Sequence, residues 1–333
     1  MRKFTKLTIT GALLISASIS SLAQDITPEN RYLQLRDQME KAENVKEQKS
    51  ILTQMGETGT FQAMAYTANW MTNRRLRKTA AQVTKKIAMA HPEYNGINYR
   101  LLLKTAQAVL SEKEEREIED FLGGLSKDEE GFVSIFNGPN LNGWKGLVQN
   151  PIARAKMTGE ELAKAQEKAD QVMREDWKVE DGMLTYVGHG YDNICTVNQY
   201  ADFEMLVDWK LDPAGKEPDA GVYLRGTPQV QIWDIARVNV GAQVGSGGLY
   251  NNQKNRSTPL EVADNKLGEW NTFYIRMVGD KVTVKLNGKL VVDNVVMENY
   301  WDRKQPIFPR EQIEMQAHGS RTWFRDIYIR EIK

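Results

Sequence analysis

The sequence predicts a mainly β protein, a two-layer sandwich of the jelly-roll kind preceded by a small α-helical domain. Hydrophobic residues recur at helical spacing from about Asp25 to Leu125. From about Asp128 they alternate with the period of two that a half-buried strand requires. Strand patterns then follow one another with a single long helical pattern among them, and sheets with one apolar face are stable when stacked in two layers. At 333 residues the chain also exceeds the usual span of one domain. These observations divide it into an export signal at 1–23, a helical domain at 24–127 and a β-sandwich at 128–333.

The signal rests on charge and length. Arg2, Lys3 and Lys6 precede an apolar run from Leu7 to about Ile19, and Ser21-Leu22-Ala23 offers small residues at the positions a signal peptidase reads. Cleavage is expected after Ala23. The run falls short of the roughly 20 residues a membrane-spanning helix needs, and no later stretch reaches that length. Cys195 is the sole cysteine, which leaves neither an internal disulfide nor a lipid-bearing cysteine at the cleavage point. A periplasmic or secreted protein with no integral membrane segment is the expectation.

In the helical domain, Thr27-Pro28-Glu29 opens the first helix, with a capping hydroxyl and a proline in the first turn, where its missing N–H costs nothing. Leu33, Leu35 and Met39 follow at near-helical spacing. A second helix spans Lys46 to Met55 and stops at Gly56. A third begins near Thr60 with Phe61, Met64, Ala65, Ala68 and Met71, and a further stripe carries Leu76, Ala80, Val83, Ile87 and Ala90. Ser111 and Glu114 form a capping box for the last helix, which ends at Gly123-Gly124. Short stacked helices of this kind resemble paired-helix solenoid repeats such as HEAT units, and they offer a surface for a protein partner.

In the β region, "DFEMLVDWKL" sets Phe203, Met205, Val207, Trp209 and Leu211 against Glu204, Leu206, Asp208 and Lys210. Val282, Val284 and Leu286 alternate into Asn287-Gly288, a strong two-residue hairpin signal, before Leu290 and Val292 return. "NTFYIRMVGD" and "TWFRDIYIREI" add strands, while the Thr158–Glu161 capping box marks one inserted helix. Trp144, Trp177, Trp209 and Trp270 are expected in the core between the sheets. In "IEMQAHG", Ile313, Met315 and Ala317 enter that core, so Glu314, Gln316 and His318 line the opposite surface. That surface is the expected site.

Composition narrows the ligand. Lys+Arg and Asp+Glu are both 44, so no basic excess points to nucleic acid, and a neutral ligand fits better. His91, His189 and His318 are far apart in sequence and show no paired metal-ligand spacing. No cofactor is called for. Loop carboxylates and carbonyls would suit a divalent cation such as Ca²⁺, but no ligand spacing predicts one. "GSGGLYNNQKN" lacks the pattern of a phosphate cradle, and is expected to form a loop over the site with Tyr250 touching substrate.

The ordered segments "GFVSIFNGPNLNGWKG", "WKVEDGMLTYVG", "DAGVYLRGTPQVQIWD", "GEWNTFYIRMVGDKVTVKLNG" and "IEMQAHGSRTWFRDIYIREI" together resemble the 3-keto-disaccharide hydrolase domain family over roughly Gly131 to Lys333. The resemblance implies a concanavalin A-like β-sandwich acting on glycosides already oxidised to a ketone at the third sugar carbon. Family members commonly carry a glutamate where Gln229 stands, a departure that weakens any mechanism needing a carboxylate there. The helical domain lies outside the resemblance.

The chemistry of such a substrate defines what to look for. A ketone at C3 acidifies the C2 proton, and its removal lets the enolate expel the glycosidic oxygen from C1. Water can then add to the enone. The site needs a base near C2, a cation or hydrogen-bond donor at the C3 oxygen and a proton source for the departing oxygen. His318 is the first candidate for proton transfer, because imidazole titrates near neutral pH. Arg225, read as sharing a strand face with Tyr223, is the candidate for the oxyanion. Glu314, Asp234 and Asp208 are the candidate carboxylates. Tyr223, Gln231, Trp233, Tyr250 and Gln316, with Gln229, are candidate substrate contacts, since amides suit sugar hydroxyls and tryptophan suits a pyranose face. Two other functions fit the same residues: a non-catalytic carbohydrate-binding module, and an ordinary glycosidase using two of these carboxylates.

Overall fold

The computed structural model describes residues 26–333, and the expected signal segment lies outside the described residues. The N-terminal part forms α1 (Pro28–Lys41), α2 (Val45–Met55), α3 (Phe61–Asn69), α4 (Arg77–Ala90), α5 (Ile97–Gln107) and α6 (Glu112–Gly123). Thr27, Asn44 and Thr60 cap α1, α2 and α3 through their side chains, and the Ser111–Glu114 capping box opens α6. Each supplies an acceptor to a backbone N–H that the first turn leaves unpaired. The apolar stripe of α4 closes on Ala88 rather than Ala90, which is exposed.

The strands form two antiparallel sheets. The larger runs from β11 (Lys289–Val296) through β10 (Lys281–Leu286), β9 (Asn271–Val278), β6 (Phe203–Leu211), β13 (Thr322–Glu331) and β4 (Met183–Tyr186) to β3 (Trp177–Glu180). The short β1 (Val133–Ser134) pairs with β13. The smaller runs β2 (Trp144–Gly146), β5 (Ile194–Thr196), β12 (Glu314–Met315), β7 (Asp219–Leu224) and β8 (Thr227–Trp233). Between β2 and β3 lie the one-turn α7 (Pro151–Arg154) and the long α8 (Gly159–Asp176), which the Thr158–Glu161 box opens. The core is the space between the sheets. Phe203, Met205, Val207, Trp209 and Phe273 of the larger sheet meet Val222, Leu224, Val230, Ile313 and Met315 of the smaller, as alternation demands.

The larger sheet is buried on its other face too, because the helices pack on it. Leu206 and Trp270 join the helical core with Phe61 and Phe132. Trp270 therefore leaves the inter-sheet core expected for it: the Arg325 guanidinium lies 3.8 Å from its ring centroid. Asp208 is corrected by the same feature. It stands in register with Arg325, whose Nε is 3.5 Å from its carboxylate, and it is fully buried beneath α1. Tyr32 and Arg36 of α1 both donate to neighbouring Asp326. Asp208 belongs to this seam, on the side of the molecule away from the Glu314 surface.

Candidate functional site

The outer face of the smaller sheet gathers most of the polar residues that alternation singled out. β12 is its central strand, and Glu314 stands between Cys195 of β5 and Tyr223 of β7. One step along, the Gln316 N–H donates to the Gly221 carbonyl at 2.9 Å, and Gly221 faces Gln231 of β8. A further step pairs Asp219 with Trp233, and His318 Nδ1 is 3.9 Å from Asp219 Oδ2. The face thus carries an acidic row, an amide row and an imidazole row.

Gly221 makes the amide row fit. A Cβ there would stand 2.9 Å from Gln316 Oε1 and from Gln229 Cγ, so only the residue without a side chain leaves room for both amides. Gln229 Nε2 donates to Gln231 Oε1 at 2.5 Å and to Gln316 Oε1 at 3.1 Å. Gln231 Nε2 donates to Asp219 Oδ1 at 2.7 Å. Asn251 closes the outer end by donating to Gln229 Oε1 at 3.2 Å.

Two titratable pairs flank the amides. Burial pushes the Glu314 carboxyl up to about 7, against the opposing pull of Arg154 and of an Asn193 hydrogen bond. Burial and the Glu314 charge hold the Tyr223 phenol above its ordinary value. At the other end, burial raises Asp219 while the facing His318 lowers it. Arg237 Nη1 lies 3.6 Å from the same Asp219 oxygen and has no hydrogen-bond partner. The His318 side chain is 31% exposed. Its Nδ1 is buried and makes no hydrogen bond, so the exposed part of the ring is the opposite edge. Tyr191 packs edge-on against the imidazole at 5.6 Å. Cys195, buried in the acidic row, is pushed up to about 12 by burial and by Glu314, which makes it a packing group rather than a nucleophile.

Aromatic rings rim the face. Tyr250 meets Trp233 edge-on at 5.3 Å, and Trp301 Nε1 donates to the Gly226 carbonyl at 2.7 Å. The loops that carry them are tied together by Glu298, which accepts the backbone N–H groups of Gln253, Lys254 and Asn255 and pairs with Arg303.

Two further candidates are corrected here. Arg225 does not face the site. It and Gly226 have φ of 50° and 66° and join β7 to β8 as a two-residue turn of the primed kind, so alternation ends at Leu224. Its guanidinium donates to the carbonyls of Pro309 and Gly279 and ties the two sheets at one end. Asp234 follows the last residue of β8, and its carboxylate accepts the Ala236 N–H at 3.0 Å, closing a turn. Conversely, the cation beside Asp219 is Arg237, in a loop where no periodicity operates. Asp219 was within reach of the sequence, since "DAGVYL" puts Asp219, Gly221 and Tyr223 on one phase. Among the described residues no three His, Cys, Asp or Glu side chains are grouped to hold a metal ion.

Residues 131–330 match the 3-keto-alpha-glucoside-1,2-lyase-like domain family, and the chain belongs to that family. A protein of Bacteroides thetaiotaomicron named 3-keto-disaccharide hydrolase is 21% identical over 257 residues, covering 62% of this chain and 80% of the relative. Among solved structures, a protein of Parabacteroides distasonis ATCC 8503 provisionally named a glycosyl hydrolase is 20% identical with a TM-score of 0.42, covering 68% of this chain and 99% of its own. The carbohydrate-binding module CBM66 of Bacillus subtilis is 10% identical with a TM-score of 0.34, covering 58% and 98%.

Proposed function

We propose that this chain is an enzyme that cleaves the glycosidic bond of 3-keto-glycosides and 3-keto-disaccharides by C2 proton abstraction and β-elimination. The observation that carries the reading is the Asp219–His318–Arg237 cluster at one end of a row of amides on the outer face of the smaller sheet. His318 is the base. Asp219 faces its Nδ1 edge at 3.9 Å, and the opposite nitrogen is the one that meets the C2 hydrogen. Arg237, the cation beside Asp219, stabilises the enolate oxygen at C3 by its charge. As the C2–H bond breaks, C1=C2 forms and the C1–O bond breaks, and the imidazolium returns its proton to the departing oxygen. Water then adds to the enone. Gln316, the partly exposed member of the amide row, holds a hydroxyl, the buried Gln229 and Gln231 fix it from behind, and Trp233 with Tyr250 supplies a ring platform.

Spacing disfavours an ordinary two-carboxylate glycosidase. Asp219 and Tyr223 are four residues apart on β7, so Asp219 and Glu314 are separated by roughly 13 Å along the sheet. Such pairs work at roughly 5–9.5 Å. Asp208 and Asp234 lie off the face.

The test is to give purified protein a 3-keto-disaccharide and its unoxidised parent in parallel, following enone absorbance, product mass and loss of a deuterium placed at C2. Turnover of the keto sugar alone, with deuterium loss, is expected. His318→Ala and Asp219→Asn should each lower turnover by a factor on the order of 10², with thermal melts unchanged. Cleavage of the unoxidised parent, or retention of deuterium in the product, would overturn the mechanism. Tight binding of both sugars without turnover would make the chain a binding module.

Among the described residues no helix is long and apolar enough to cross a membrane. We propose export as well, on the strength of the basic start, the apolar run and Ser21-Leu22-Ala23. N-terminal sequencing of exported material should begin at Gln24.

A further inference from the structure

A cleft of about 330 Å³ opens where the helices meet the larger sheet, a size within the roughly 300–1,000 Å³ of small-molecule sites. It lies on the opposite side of the sandwich from the face described above. One wall belongs to helices that precede the family's matched residues, so this site depends on a part of the chain the family match does not include.

Its floor and walls are aromatic. Phe61, Tyr94 and Tyr274 line it, with Phe61 and Tyr94 meeting edge-on at 5.5 Å. The charged groups divide into those already engaged and those free. Arg330 and Glu93 are engaged: the Arg330 guanidinium pairs with Glu204, donates to the Glu93 carbonyl at 2.6 Å and lies 4.6 Å over the Phe132 ring, and the Glu93 carboxylate is 2.8 Å from His91 Nδ1. Glu29 and Lys285 also line the cleft, and neither has an ion-pair partner among the described residues, though the Lys285 ammonium lies 5.8 Å over the Tyr274 ring. Gln62, buried in the floor, donates through Nε2 to Thr272 Oγ1 at 3.0 Å, which leaves its Oε1 to accept. Any side chain at Gly288 would run into the Glu29 carboxylate, so the hairpin glycine lets that carboxylate reach the cleft.

The free inventory is one cationic donor, one anionic acceptor and one neutral acceptor, with no net charge, beside aromatic walls. A simple anion would meet Glu29 and a simple cation would meet Lys285, each a repulsion in a partly dry space. Neighbouring hydroxyls both accept and donate, and a pyranose adds an apolar face for the rings. We propose that this cleft is a second, non-catalytic site for an uncharged saccharide presenting a vicinal diol, which would hold a longer or second glycan on the protein during turnover at the other face.

Calorimetric titration of maltose, an unoxidised sugar, into the full chain tests this. Lys285→Ala combined with Glu29→Ala should remove one binding event or weaken it at least about tenfold. Turnover of a 3-keto-disaccharide at low concentration should stay unchanged. Both side chains lie at the surface, so the fold should survive; if melts show otherwise, Lys285→Gln with Glu29→Gln replaces the pair. If the sandwich face also binds maltose, the parent shows two events and the variant one. If only the cleft binds, the parent shows one and the variant none, so failure of the catalytic reading leaves this one measurable. Identical isotherms for parent and variant, no binding in the parent, or binding of the zwitterion phenylalanine in place of maltose would each overturn it.

Discussion

At the scale of single residues, Glu314 and Asp208 look alike in sequence. Both are carboxylates on the polar phase of a strand, and burial raises both above the ordinary range. Their settings differ: Asp208 faces Arg325 inside a seam, whereas Glu314 stands beside an amide row that ends on a solvent-facing imidazole. The Glu314 shift makes a signed prediction. Its ordinary value is 4.5 and its folded value about 7, so between them the folded chain holds a proton that the unfolded chain has released. Stability from this group is therefore full at acid pH and falls as pH rises through about 7. Glu314→Gln removes that loss. The variant should be more stable than the parent near pH 8, by an amount on the order of 3 kcal/mol, and the two should converge below about pH 4.5. Its turnover should remain within about tenfold of the parent, because the base is assigned to His318. Lower stability of the Gln variant across the whole range would mean that the carboxylate is ionised and paired when folded.

Among the elements, strand alternation was the most informative part of the sequence. Ile313, Met315 and Ala317 occupy the core, as their phase requires, and Asn287-Gly288 turns β10 into β11 with φ of 53° and 83°. Alternation fails where the backbone leaves the β region. Arg225 continues the polar phase of Tyr223 on paper, yet its positive φ turns the side chain out of the sheet and into the sandwich end. Arginine carries no strong turn signal, so the sequence hid this corner. The consequence is testable. Arg225→Ala should lower stability by about 1–3 kcal/mol, the cost of leaving buried acceptors without a charged donor. Turnover per folded molecule should be nearly unchanged. An intact melt with lost turnover would return Arg225 to the site.

For the whole molecule, alternation tells a strand's two faces apart but says nothing about what lies beyond either one. Polar residues at 204, 208 and 210 therefore read as a solvent or ligand face, when a helical layer covers them. That layer's own core extends onto the sheet through Leu206 and Trp270, and Tyr274, Trp323 and Tyr328 pack against it. The helices were legible from capping and spacing; their docking was not, because it rests on contacts far apart in sequence, such as Tyr32 to Asp326. We propose 128–333 as a unit that folds by itself, since the inter-sheet core takes no residue from α1–α6. Removing the helices would expose that aromatic strip and strand Asp208 and Arg325 at a new surface. A chain cut to 128–333 should still unfold cooperatively, at a lower temperature than the full chain, and should self-associate as exposed apolar patches do. Its turnover of a 3-keto-disaccharide should persist, because the Asp219–His318 end lies on the other sheet. Sedimentation, a thermal melt and the enone assay on one preparation decide it. Loss of the cooperative transition would mean that the helical layer is part of the fold, and a monomeric, fully stable fragment would mean that the seam contributes little.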